Sequence, residues 1–502
     1  MLRAAAVWLV VVFSRVVLSS DYDWVGAWAR MVAVMERSVE RYSGVEAEKQ
    51  LLALAEDVEH AVWIVKGEIY ADERFGSNVL KSSKRLKQNL HLRMIFTLLE
   101  EEKTMASPLL ASILREGRFG YSMTTAATGD DHCDAHNPRL VIAKKFGEDM
   151  CGLLVPNPYF GSLSEWGLEQ TKFKDIADGL RWEDRDARVF WRGKIRGDRS
   201  KGAEKKSCER NAGNFARVSA SALTLKFPQF FDVRSNSCVA QEPSLCDHAY
   251  NYTLLERRAI DTTTQRRKDD CPLIDGPFLA HEDFSNYRFL LDLPGSTTGS
   301  YSRNLNHLWL FGAVVLLWDG PLLHKGGAMQ WYSPALQENA THLVVNRDTA
   351  YDTVAAVRSR NKPRSLIANA RGVADHLLCP RCQATYFMRL FQKLLDTIPS
   401  FYRDLLNDDR HLQRRQAILR QANCHTINLV KVVAPRPFGS TKTHHLLGQR
   451  PSDVQTLRAN ISACDLLSAP IEPSTTLHTL LLQRRPKVEG PLLATRNNNN
   501  TT

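Results

Sequence analysis

The hydrophobic positions of this 502-residue chain follow two different periods. Trp24, Trp28, Met31, Val32, Met35 and Val39 recur at helical spacing, and Leu51, Leu52, Leu54, Val58 and Val62 continue it. The stretch 24–66 therefore predicts amphipathic helix packed on a domain. Residues 88–115 carry a helical pattern as well. Further on, the apolar positions come in short blocks: Leu153–Val155, Val189–Trp191, Phe227–Val233, Phe289–Leu291, Ala313–Trp318 and His342–Val345. Blocks of this length, bounded by turn residues, suit strands. The uninterrupted Ala313–Trp318 suits a strand buried on both faces of a parallel sheet. From the charged connector Arg181–Asp186 to about Leu395, strand and helix patterns alternate, and 364–395 reads as helix. That alternation predicts βα units and a parallel sheet. After about Ser400 the chain is basic and less patterned, and Asn497–Thr502 is low in complexity and expected to be disordered. No internal repeat is seen.

Composition narrows the picture. The length predicts roughly three domains or two large ones, and 43% apolar with 9% aromatic residues is ample for a core. The net charge of +11 fits a polyanionic partner: nucleic acid, an anionic membrane surface or a diphosphate. The start of the chain bears on the compartment. Met1-Leu2-Arg3 precedes an apolar run, Ala4–Phe13, with Ser19-Ser20 following. This is the layout of a secretory signal, cleaved or retained as an anchor. The run is too short to span a bilayer unaided, and Arg15 interrupts its extension. In an oxidising lumen the ten cysteines become candidates for disulfides, Cys379 and Cys382 among them. Sequons at Asn251, Asn339, Asn460, Asn499 and Asn500 agree with a lumenal surface. The same features oppose a nucleic-acid partner. The expected divisions are a signal at 1–20, an N-terminal region at 21–180, a second at 181–400 and a basic extension at 401–502.

Four places could carry chemistry. The most informative is Asn286–Arg347, where a strand runs into a loop with Gly295 and Gly299, then a helix carrying Arg303, then the buried strand. Glycines let backbone approach a ligand, a helix start is partly positive, and arginine offers a forked donor, so a diphosphate fits there. The second is Phe190-Trp191-Arg192-Gly193 with a basic run to Arg210 and Arg217. It suits phosphate at a strand's C-terminal end, whereas Lys201, Lys205 and Lys206 read as a solvated loop. The third is Ala126–Pro138, a turn-rich acidic loop. There Asp130, Asp131 or Asp134 could serve as a general base or simply cap the loop. The fourth, Cys379-Pro380-Arg381-Cys382, has no second CxxC to complete a zinc site. No GxSxG supports a serine hydrolase.

The succession FWRG, CERN, NYRFLLDLPG…SR, LFGAVVLLWDG and WYSPAL…THLVV resembles the protein O-glucosyltransferase and capsule-associated glycosyltransferase family, over roughly Leu153–Leu395. The resemblance implies an α/β, GT-B-like fold with two Rossmann-like domains facing a cleft, preceded here by extra helices. It implies an inverting transfer of glucose or xylose from a UDP-sugar to a protein or glycan hydroxyl, without metal or other cofactor, in the lumen of the endoplasmic reticulum or Golgi. Carried over residue by residue, Arg192 and Gly193 match the family's aromatic-Arg-Gly turn. Arg210 matches its downstream diphosphate arginine, with Arg196 or Arg199 as alternatives. Arg303, with Gly295 and Ser300 nearby, matches the arginine after its Gly-Ser loop. Asp319 lies at the short turn after the buried strand, and His342 at the His-aromatic position. The family's base is an aspartate before a Pro-containing segment, for which Asp131 is the first choice and Asp134 or Asp130 the alternatives. Two departures stand out: Lys194 replaces a small polar residue, and the loop before Arg303 is about two residues longer. A member without a positioned base would be a glycan- or protein-binding module instead.

Overall fold

The computed structural model describes residues 22–57, 60–72, 92, 95, 98, 108–124, 136–144, 146, 152–157, 163–194, 207–235, 276–295, 302, 304–320, 328–359, 363–397, 400–422, 428–433 and 455–468. Its first part contains α1 (Trp24–Glu40), α2 (Ala47–Glu56), β1 (Ala61–Val65), β2 (Glu68–Asp72), α3 (Pro108–Arg115), β3 (Arg118–Thr124), β4 (Arg139–Val141), β5 (Leu153–Leu154) and α4 (Leu163–Asp178). Next come β6 (Asp186–Gly193), α5 (Ser207–Lys226), β7 (Phe231–Ser235), β8 (Tyr287–Asp292), α6 (Leu305–Leu308), β9 (Val314–Trp318) and β10 (Leu343–Val345). Helices α7 (Ala350–Arg358), α8 (Arg364–His376), α9 (Pro380–Thr397), α10 (Ser400–Asn407) and α11 (Leu412–Leu419) follow. The last elements are β11 (Asn428–Val433), β12 (Gln455–Ser462) and α12 (Ala463–Ser468).

Strands β6 to β10 form a five-stranded, wholly parallel sheet in the order β10-β9-β8-β6-β7. The chain steps from β6 outward to β7, then returns to the other side of β6 with β8. The topology therefore reverses between β6 and β8. Every residue of β9 is buried, as its unbroken apolar sequence requires. Strand β7 starts four residues later than its apolar pattern suggested. Phe227 still closes the end of α5, its N–H bonded to Leu223 O at 2.8 Å, and its ring stacks on Tyr351 with centroids 4.3 Å apart.

The other sheet departs from a Rossmann unit. Its seven strands run in the order β12-β11-β2-β1-β3-β4-β5. Only β3–β4 and β4–β5 pair in parallel. The expected helix over 24–66 is real for α1, whose Trp24, Trp28, Met31, Val32, Met35 and Val39 are all buried, but it ends with α2. Ala61–Val65 is strand, buried at every position, because Val-Trp-Ile-Val favours a pleated surface. Lys66 and Gly67 follow with φ of 50° and 75°. Two consecutive left-handed residues make the tight hairpin turn that forces β1 and β2 antiparallel.

The expectation of a less patterned extension after 400 is also corrected for its described part. Strand β11 pairs with β2, Leu429 opposite Asp72, and β12 closes the sheet edge. Leu405, Leu419 and Leu467 share a core with Leu51, Leu54 and Trp63. A larger core joins both sheets, with Phe119 and Leu140 of one and Phe190 and Leu290 of the other in the same cluster. The helical stretch 364–395 is split between α8 and α9. Pro380 opens the second helix, as suits a residue with no N–H to leave unpaired, and Cys379 and Cys382 are joined by a disulfide. Among the described residues no helix is long and apolar enough to cross a membrane.

Candidate functional site at the switch point of the parallel sheet

In an open parallel sheet, ligands bind beyond the carboxyl ends of the strands where the order reverses. Here that place is the end of β6, Trp191-Arg192-Gly193, beside the end of β8, Asp292 to Gly295. One side chain spans the two ends. Arg217, from α5, donates from Nε and Nη2 to Pro294 O at 3.1 and 2.7 Å and from Nη1 to Lys194 O. Its guanidinium also lies 5.7 Å from the Trp191 ring centre. The strand ends are thus held together by a cation placed at the crevice.

Asp292 is the notable group here. It ends β8 with 1% exposure, and neither carboxyl oxygen has a hydrogen bond of good geometry. Burial pushes its pKa from 3.8 up to about 7, against the opposing pull of the nearby Ser302 hydroxyl and the Arg217 charge. A carboxyl that is neutral near pH 7 can donate a hydrogen bond that an ordinary aspartate cannot.

Arg192 sits differently from the sequence expectation of an open phosphate ligand. Its side chain is 6% exposed. Nη2 meets both oxygens of Asp232 at 2.9 Å. Nη1 donates to the backbone oxygens of Asp232 and Trp191 at 2.7 and 2.9 Å. Asp232 is further held by Arg234 Nε at 3.0 Å and by the Tyr287 hydroxyl at 3.2 Å. Burial, then the Asp232 charge, raise Tyr287 to about 12. Arg192 therefore locks β6 to β7, with both Nη groups committed within the protein. Gly193 has a packing reason to be glycine, since a Cβ there would lie 2.4 Å from the Trp191 ring.

Gly295 is buried directly beyond Asp292. Asp319 is half-buried at the end of β9, where its N–H bonds to Val345 O at 2.7 Å and its Oδ1 accepts from Gly320 N at 3.1 Å. Gly193, Gly295 and Asp319 thus share the carboxyl edge of one sheet. His342, at the start of β10, is buried with Nδ1 2.9 Å from Thr341 Oγ1. Arg210 lies on α5, its side chain outside the described set. Asp130, Asp131, Asp134, Ser300 and Arg303 lie outside the described residues.

The segment after β4 also pairs with the one between β9 and β10. Lys144, just past β4, exchanges two backbone hydrogen bonds with Met329, at 3.0 and 2.8 Å. Burial, then the charge of Arg41, lower the Lys144 ammonium to about 8. A separate polar recess lies at the opposite end of the sheet, lined by Arg181, Arg185, Gly312 and Arg371. Arg185 is occupied there by Phe311 O and Ala177 O, both at 2.6 Å. The amino ends of strands are not where such sheets take ligands, so the switch-point crevice is the better candidate.

Asp292 was visible in the sequence as a lone acid inside an apolar strand, LLDLPG. Its isolation from hydrogen-bond partners was not. The partnership of Arg192 with Asp232 left no sequence signal, because it depends on the register of β6 against β7, Phe190 opposite Asp232.

No family model matches the chain, and no curated protein matches it. Among solved structures it is similar to the crystal structure of the GtfA/B complex, with 11% identity and a TM-score of 0.26, over 43% of this chain and 37% of that one. The chain thus spans little more than a third of that structure's length, and a likeness this slight carries no argument about function.

Proposed function

We propose that the protein is an inverting glycosyltransferase that moves glucose or xylose from a UDP-sugar to a hydroxyl of a secretory-pathway protein or glycan. The observation that supports it best is the reversal of strand order between β6 and β8. The glycines and the arginine of the FWRG and DLPG segments flank that reversal, the place where an α/β sheet takes a nucleotide. The quoted motifs, in their order along the chain, supply the family and the sugar class.

In this proposal the diphosphate lies over Gly193 and Gly295, with Ser300 donating a hydrogen bond to it and Arg303 and Arg210 neutralising the charge that grows as UDP leaves. Asp319 flanks the nucleotide. Arg192 acts by fixing the end of β6, and Arg217 by holding β6 and β8 at one spacing. The acceptor hydroxyl attacks the anomeric carbon while Asp131, or Asp134, removes its proton. The transition state resembles an oxocarbenium ion. Donors preorganised toward the leaving diphosphate contribute about 3–4 kcal/mol each, so no metal is required at this step.

The test is UDP release by the purified protein with a panel of UDP-sugars and no added metal. Release with one sugar, unaffected by chelator and abolished by Asp131→Asn, supports the proposal and names the donor. UDP binding without turnover for any sugar or acceptor supports a binding module instead. No UDP binding at all overturns the transferase and leaves a degenerate relative or an unrelated protein.

A further inference from the structure

Three elements far apart in sequence converge beside β8. Helix α4 contributes Glu169, the 3-10 turn His281–Asn286 contributes His281, and α6 contributes His307. One ligand-capable atom from each lies within 4.8 Å of the other two. His307 Nε2 is 3.5 Å from Glu169 Oε1. The two imidazoles lie side by side, centroids 4.5 Å apart and planes 16° from parallel. Asn304 Oδ1 is 3.4 Å from His281 Nε2.

Aromatic side chains surround these rings. Trp166 and Phe173 meet His307 edge-on at 5.4 and 5.8 Å, and Phe284 meets His281 at 5.4 Å. Despite this order, His307 Nδ1 is buried with no hydrogen-bond partner. A buried ring nitrogen is seldom left unpaired.

We propose that Glu169, His281 and His307 form a binding site for a zinc-class divalent cation, distinct from the residues proposed to hold the donor. Two imidazoles and a carboxylate are a donor set that zinc accepts, at about 2.0–2.2 Å from each atom. Tetrahedral bonds of that length place ligand atoms about 3.3–3.6 Å apart, so binding would draw the three side chains together and turn the two imidazoles out of their stack. Asn304 or water fills the fourth position. Magnesium and calcium prefer all-oxygen ligands and do not suit two imidazoles. The ion would join α4 to both flanks of β8: the turn bearing His281 leads into the strand, and α6 follows the segment that leaves it. Its role is to staple three elements, and no step of sugar transfer passes through it.

The test uses tag-free, full-length protein. Metal content is measured by mass spectrometry after purification, and Co²⁺ is titrated into chelator-stripped protein while its visible absorption is followed. The expected result is about one zinc or cobalt per chain, with absorption bands of a low-coordinate site. Binding should be lost in Glu169→Gln/His281→Gln/His307→Gln and weakened at least about tenfold in His281→Asn alone. Circular dichroism confirms that the variants fold, and the single variant serves if the triple one does not. A folded wild type that takes up neither metal overturns the proposal. So does undiminished uptake by the folded variants, or Mg²⁺ competing with Co²⁺ at equal concentration.

Discussion

Replacing Asp292 with asparagine should stabilise the protein at alkaline pH and leave it nearly unchanged at acid pH. The native state keeps the Asp292 proton to about pH 7, whereas an ordinary aspartate loses it near 3.8. Between those values the folded chain binds more protons than the unfolded one, so this group makes stability fall as pH rises. The gap from 3.8 to about 7, at about 1.36 kcal/mol per pKa unit, amounts to about 4 kcal/mol. The full penalty is present above the folded pKa and absent below the unfolded one. Asparagine has the same shape and no charge to bury. Urea unfolding of both proteins at pH 5 and pH 8 measures the effect. Other groups titrate in this range, so the quantity to read is the difference between the two proteins. Part of the penalty is already present at pH 5, so Asp292→Asn is expected to gain about 3 kcal/mol on the wild type between those pH values, about two pKa units. Parallel pH profiles would refute the argument, and so would a variant less stable at pH 8.

Arg192→Ala should cost stability first. Breaking a buried ion pair costs about 3–5 kcal/mol, but Asp232 keeps Arg234 at 3.0 Å and Tyr287 at 3.2 Å, so the lower end, about 3 kcal/mol, is expected in urea unfolding. UDP affinity lost with stability unchanged would return Arg192 to the phosphate site. Gly193→Ala forces a Cβ to 2.4 Å from the Trp191 ring and should destabilise by about 1–3 kcal/mol, seen as a lowered thermal midpoint; an unchanged midpoint would mean that the ring has room to turn. Arg303→Ala should reduce UDP release by about 10²–10³-fold with the circular dichroism unchanged. Wild-type turnover in that variant would remove Arg303 from the donor site.

The parallel sheet was legible because its strands carry short apolar blocks, Val189–Trp191 and Phe289–Leu291 among them; Val314–Trp318, buried at every position, is the clearest. The other sheet was not. Its strands include Leu153–Leu154, only two residues long, and its hairpin β1–β2 was hidden inside a plausible continuation of helical spacing. Lys66-Gly67 was the available cue, a glycine two-residue turn between β-branched runs. The place of β11 and β12 was illegible for a different reason: pairing between distant segments leaves no local pattern. The same holds for the site. Glycines and arginines at strand ends announce themselves, whereas Asp232 beneath Arg192, and the meeting of Glu169 with His281 and His307, are products of tertiary packing alone.

The pairing of β11 with β2 also sets a timetable for synthesis. Strand β2 leaves the ribosome several hundred residues before the strand that covers its edge, Leu429 opposite Asp72. At about 5–20 residues per second, that interval is on the order of tens of seconds. Throughout it, β2 has β1 on one side, while the edge that β11 later covers presents backbone donors and acceptors with no strand of this chain beside it. The parallel sheet, contiguous from β6 to β10, is complete sooner. The later half of the molecule is therefore expected to organise before the earlier half closes. An unpaired, apolar edge waiting this long calls for a chaperone while synthesis continues.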